Sequence, residues 1–187
     1  MAIVNINTHV PAEGKHYFLD CNILMYVFYP NGSYQSNLIS DYSCLISNII
    51  GSNADIFITD MLISEFVNTY IQAEFHRLAS INGWPHTKSY FKSTFKLTTE
   101  YSDILKEVKC VLERQLFPIS KRIDVKFSNL TLTNIFDNPP TFDFNDRYYG
   151  LSLKNESVYI VTNDADFSNV YGCDIITRNQ TLLSAVV

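Results

Sequence analysis

Four short stretches of this 187-residue chain each place an acidic side chain where it could join a shared ion site: FLDCN (18–22), TDMLISEF (59–66), FNDRYYGLSL (144–153) and YIVTNDADF (159–167). Asp20, Glu65, Asp146 and Asp164 stand at their centres, and Asp166 lies two residues past the last. Carboxylates crowded together repel, and their proton affinity rises until a divalent cation neutralises them. All-oxygen ligation selects hard ions, hence Mg²⁺ or Mn²⁺. An ion so held polarises a phosphodiester and lowers the pKa of a bound water, so the pattern points to metal-dependent hydrolysis of nucleic acid. A phosphatase or a DNA nuclease would use the same carboxylates. Each residue also has a plainer role. Asp20 could cap the following helix, Glu65 shares a polar helix face with Asn68, Thr69 and Gln72, and Asp143 and Asp146 could both complement a helix dipole. Residue chemistry leaves open which of that last pair is the ligand. Asn22 is placed to hold Asp20 by a hydrogen bond, as groups around metal ligands commonly do. Thr162 and Asn163 are candidates to orient water or phosphate. No nucleophile–histidine grouping competes, since His9, His16, His76 and His86 have no partner placed by the sequence.

The elements that must position these residues alternate. A buried strand is expected over 16–19, a helix start over 22–28, and a turn at Pro30-Asn31-Gly32-Ser33. Apolar residues at 38, 39, 42, 45, 46, 49 and 50 trace a helical stripe stopped by Gly51. A short strand at 56–58 leads to Asp60, expected to cap a helix reaching about Ala79. Two helices are expected over 87–117, and loop with a short irregular element over 118–140. A helix over about 143–155, a strand at 158–162 and a last strand near 174–177 complete the chain. Strands alternating with helices predict an α/β fold, a parallel sheet of about four to five strands flanked by helices. One domain over 1–187 is expected, with a helical or irregular insertion at about 84–140.

Composition is ordinary for a globular chain: 47% hydrophobic, 14% aromatic and 18% charged. No apolar run approaches the roughly 20 residues that span a bilayer, and the N-terminal segment does not read as a signal peptide. Four scattered cysteines without a CxxC pair argue against zinc and for reduced thiols in the cytoplasm. Net charge is −5, but nine of the fourteen cations fall between His86 and Lys126 against five acids. That segment is +4 and the remainder −9, which suits a carboxylate site beside a cationic substrate-binding arm. Within it Lys88, Lys92 and Lys96 interleave with Tyr90, Phe91 and Phe95, giving cations and aromatic platforms for single-stranded RNA. The alternative is an amphipathic helix with those rings in the core. A third use of the segment is protein contact, either self-association as a homodimer or capture of an antitoxin protein.

Together these motifs resemble the PIN domain family. There a first strand ends in Asp with Asn two residues on, as Asp20 and Asn22 do, and a Glu follows early in the helix after the second strand, like Glu65. A third acid opens the helix before a strand ending in Thr-x-Asp/Asn and an Asp-Phe pair, as do Asp146, Thr162-Asn163-Asp164 and Asp166-Phe167. The interval of eighteen residues from Asp146 to Asp164 is similar to that of toxin-type members and favours Asp146 over Asp143. The resemblance covers 17 to about 75 and 143–177. It leaves out about 84–140, which is longer than in compact members. It implies a metal-dependent endoribonuclease, as the toxin of a toxin–antitoxin pair or as an RNA-processing enzyme. Asp20, Glu65, Asp146 and Asp164 would be catalytic and metal-binding, with Asp166 supporting. A non-catalytic PIN-like module that binds RNA or protein is the alternative.

Overall fold

Tyr17, Phe18 and Leu19 are consecutive and have no solvent exposure, which an extended segment achieves only when both of its faces are covered. They lie in the middle of a six-stranded, all-parallel sheet. A computed structural model describes residues 2–125, 128, 130, 133, 136, 143–154, 157–169 and 172–184. The strands are β1 (Ile3–Asn5), β2 (His16–Leu19), β3 (Asp55–Ile58), β4 (Lys121–Arg122), β5 (Val158–Val161) and β6 (Asp174–Thr177), in the order β1-β6-β5-β2-β3-β4. In register, Leu19 faces Val161 and Phe18 faces both Phe57 and Ile160. The α/β architecture agrees with the sequence expectation, but the sheet has six strands rather than four or five. The two unforeseen strands are the edges. β1 pairs Ile3 with Ile175, and β4 pairs Phe57 with Lys121. β4 is only Lys121–Arg122 and carries no apolar signal, and β1, at three residues, is shorter than the runs of four to eight by which a strand is read.

The helices are α1 (Cys21–Phe28), α2 (Ser36–Gly51), α3 (Asp60–Asn82), α4 (Lys88–Ser93), α5 (Thr99–Val111), α6 (Phe144–Leu153) and α7 (Gln180–Ser184). Thr59, rather than Asp60, caps α3: its hydroxyl accepts from the Leu62 amide at 3.2 Å, and Asp60 is the first helical residue. The helix runs past Ala79 to Asn82. Gly83 then adopts φ 68°, and the Trp84 amide returns to the Ala79 carbonyl at 2.9 Å. A left-handed residue at that position ends many helices, and glycine adopts it without steric cost.

The lysine-rich segment is built into the body. Phe91, Phe95, Ile104, Val108, Val111 and Leu116 belong to the same buried cluster as the sheet residues, Tyr70 of α3 donates to Glu107 of α5 at 2.7 Å, and β4 closes the sheet. Phe91 and Phe95 pack on Phe75 with ring centroids 5.1 and 4.9 Å away. These two rings are therefore core, as the amphipathic-helix reading has it, and cannot serve as base platforms. Lys126, most of 126–142 and the end of the helix expected at 155 lie outside the described residues. Among the described residues no helix is long and apolar enough to cross a membrane.

Candidate active site

The strand order reverses between β2 and β5. From β2 the chain works outward through β3 and β4, and from β5 through β6, so the segments leaving β2 and β5 diverge. A crevice opens there at the carboxyl ends of the strands, the usual ligand position in open α/β sheets. Asp20 leaves β2 at this point and Thr162 to Asp166 leave β5. A cleft of about 390 Å³ occupies it, lined by Asp20, Glu65, Asp143, Asp146, Asp164 and Asp166 together with Asn22, Tyr26, Tyr34 and Asn145, among others. No lysine, arginine or histidine is among its described lining residues.

Asp20 is 5% exposed and serves two roles at once. One carboxylate oxygen accepts from the Cys21 amide at 2.7 Å, capping α1. The other accepts from the Asn22 side chain and, at 2.8 Å, from the Thr162 hydroxyl. Helix cap and cleft-lining residue, which compete as readings of the sequence, are here one side chain. Glu65 leaves the second turn of α3, half-buried, and accepts from Asn145 Nδ2 at 3.1 Å and the Tyr149 hydroxyl at 2.9 Å. Burial, then the charge of Glu65, keeps the Tyr149 phenol protonated and therefore a donor. Asp143 is the cap of α6, accepting from the Asn145 amide at 2.8 Å. Asp146, one position after Asn145, is 9% exposed. Asp164 and Asp166 sit at the exposed rim, where the Asp166 amide donates to Asp164 at 3.0 Å.

The electrostatics carry the mark of this crowding. Burial, only partly offset by the Thr162 and Cys21 hydrogen bonds, pushes the Asp20 carboxyl up to about 7, and the charges of Glu65 and Asp164 add to the shift. Burial, then Asp20, Asp143, Asp164 and Glu65, pushes Asp146 up to about 8. All five of those influences on Asp146 act in the same direction. A cluster with this much uncompensated negative charge favours either protons or cations.

The donor set, carboxylate oxygens with amide and hydroxyl oxygens around them, fits Mg²⁺ or Mn²⁺ in chemistry. Among the described residues no three acidic, histidine or cysteine side chains are already gathered around one point as an ion cage. One oxygen of Asp20 is held by Asn22 and Thr162 and one oxygen of Glu65 by Asn145 and Tyr149, which fixes how each carboxylate faces the cleft.

Other expected site residues are placed differently. Thr162 is fully buried, donating to Asp20 and accepting from the Asp164 amide at 3.0 Å, so it positions carboxylates and cannot touch water or phosphate. Asn163 turns away: Oδ1 accepts from Tyr42 at 3.0 Å and its carbonyl accepts from Asn179 at 2.7 Å. Lys88 lines a separate cavity with His76, His86 and Phe91, and neither Lys92 nor Lys96 lines the carboxylate cleft. Eleven helical residues separate Glu65 from His76, about 16 Å along α3. Of the cations in that segment, Lys106 pairs with Asp103, Lys109 with Glu113 and Lys121 with Asp55, while Lys96 lies over the Phe91 ring. The histidines all have neighbours: His9 with Tyr17 at 2.9 Å, His16 with Asp55 at 3.4 Å, and His76 with His86 at 3.2 Å. Asn145 and Tyr149, which hold Glu65, were not singled out from the sequence. Their spacing of four on one helix puts them on a common face, a signal that gains meaning only beside Glu65.

No family model and no curated protein matches the chain.

Proposed function

We propose that the protein is a metal-dependent endoribonuclease of PIN-like type that hydrolyses RNA phosphodiesters at the cleft between β2 and β5. The observation that carries the reading is that acidic residues from four separate chain segments, Asp20, Glu65, Asp146 and Asp164, line one cleft at the switch point of a parallel sheet. RNA as the substrate follows from the resemblance of the motifs to PIN domains. Asp20, Glu65 and Asp146 would hold the principal ion, with Asp164 and Asp166 completing its surroundings. A bound Mg²⁺ or Mn²⁺ supplies the positive charge that lets a phosphate approach and makes water a competent nucleophile. The chain's own contribution is to orient that water and accept the proton it loses. The water oxygen bonds to phosphorus, the P–O3′ bond breaks, and a 3′ hydroxyl and a 5′ phosphate result. Asn22, Thr162, Asn145 and Tyr149 aim the carboxylates, as groups behind metal ligands do.

Incubating structured and unstructured RNA with the protein in Mg²⁺, Mn²⁺ or EDTA tests this. Cleavage should require the ion and should vanish in a folded Asp146→Asn variant. Cleavage that survives EDTA would overturn the mechanism, and RNA bound but never cut would leave a non-catalytic binding module. Growth arrest on expression, relieved by a small co-expressed antitoxin, is the result expected of the toxin form.

A further inference from the structure

The cleft has an aromatic side as well as an acidic one. Tyr26 and Tyr34 line it alongside the carboxylates, both half-buried, with ring centroids 4.8 Å apart in an edge-to-face pair. Tyr26 is four residues along α1 from Asn22, so it lies on the same helix face about 6 Å farther along the axis. Behind it stands Tyr42, fully buried, 6.0 Å away between centroids. The Tyr42 hydroxyl binds Asn163 at 3.0 Å and accepts from the Arg178 amide at 3.1 Å. The segment carrying Tyr34 is tied down too. Asn31 donates to Glu74 of α3 at 2.8 Å, and the Tyr34 ring lies so close over Gly32 that a Cβ there would sit 2.2 Å from its Cε2. Glycine at 32 is what allows the ring to lie in that place. Neither the Tyr26 nor the Tyr34 hydroxyl has a hydrogen-bond partner among the described residues.

Two rings held by the core and presented beside a phosphate-cleaving centre match the way proteins bind single strands, where unstacked bases lie on aromatic side chains. Resting on the nuclease reading above, we propose that Tyr26 and Tyr34 form the base-stacking platform for a nucleotide next to the scissile phosphate. The substrate is therefore single-stranded at that point, because a base in a duplex presents no free face to a ring. This platform, rather than the buried rings of Phe91 and Phe95, supplies the aromatic recognition.

The test uses the full-length protein and a short single-stranded RNA carrying 2-aminopurine, whose fluorescence falls on stacking, with Ca²⁺ replacing Mg²⁺. Tyr34→Ala should weaken binding about tenfold and abolish the quenching. Tyr34→Phe should retain both, since the ring does the stacking. Gly32→Ala, which displaces the ring without removing it, should reproduce much of the alanine effect. In Mg²⁺ Tyr34→Ala and Gly32→Ala should raise KM with kcat nearly unchanged. Wild-type binding and quenching in Tyr34→Ala and Gly32→Ala, in an enzyme that still cleaves RNA, would overturn the platform and leave the nuclease reading standing. A wild-type protein that neither binds nor cleaves single-stranded RNA would overturn both. Loss of binding in Tyr34→Ala with an unchanged thermal melt supports the platform, whereas loss accompanied by unfolding would shift the decision to Gly32→Ala.

Discussion

Replacing Asp146 by Asn removes charge from the crowded cleft while leaving the helix start intact, because the cap of α6 is Asp143 and not Asp146. The change is nearly isosteric, and the largest influences on this carboxyl are burial and four neighbouring acids, all of which oppose its ionisation. Its pKa rises from 3.8 to about 8. The folded protein therefore keeps a proton that the unfolded chain releases above about pH 4. Stability from this group is fully present below pH 3.8 and is lost as pH rises through about 8. Each pH unit in that window removes about 1.4 kcal/mol at most, and the whole window about 6. Water entry and side-chain rotation reduce the realised effect to about 2 kcal/mol or more, comparable to other relieved buried charges. In EDTA near pH 8 the Asn variant should thus be more stable than wild type by about 2 kcal/mol, or about 4–8 °C in Tm for a chain of this length. The difference should disappear near pH 4. Adding Mn²⁺ should reverse the order, because the wild type gains an ion and releases protons while the variant gains little. Urea and thermal unfolding at several pH values, with EDTA and with Mn²⁺, measure all of this. A variant no more stable than wild type in EDTA at pH 8, or a difference independent of pH, would refute the reasoning.

Other expectations follow from single contacts. Glu74 is 1% exposed and is held ionised by Arg77, at 2.6 Å, and by Asn31. Arg77→Met should therefore destabilise by about 3 kcal/mol in chemical denaturation, since a buried charge loses its partner. Tyr149→Phe removes a donor from Glu65 and should weaken Mn²⁺ binding by about tenfold in calorimetry, with little change in fold stability. Asp20→Asn should abolish cleavage, but without the stability gain of Asp146→Asn, because an amide nitrogen there would meet the Asn22 amide donor and a Thr162 hydroxyl that already accepts from Asn22 and the Asp164 amide. Changing Lys88, Lys92 and Lys96 to Glu should leave Mn²⁺ affinity unchanged, given their distance from the cleft. If these residues touch RNA, the salt slope of binding should fall by close to one unit per lost phosphate contact.

The sequence by itself determined the alternation of strands and helices, because apolar runs and helical stripes are local and the buried strand at 16–19 needs cover on both faces wherever it lies. It also nominated Asp20, Glu65, Asp146 and Asp164, since strand ends and helix starts mark where such residues can face a crevice. It could not show β4, two charged residues at the edge, or β1, whose apolar stretch is too short to read as a strand by itself. Three further decisions belonged to tertiary structure. Asp143 and Asp146 both line the cleft, but Asp143 stays exposed as the cap of α6 while Asp146 is buried, because helix phase separates two acids that look alike along the chain. Phe91 and Phe95 became core because α4 folds onto α3, leaving Tyr26 and Tyr34 as the rings beside the carboxylates. Asn145 and Tyr149 acquired their role only when Glu65, some eighty residues earlier, was brought to them. Periodicity is written between neighbours in sequence, whereas charge crowding, desolvation and a shared hydrogen bond exist only once distant segments meet.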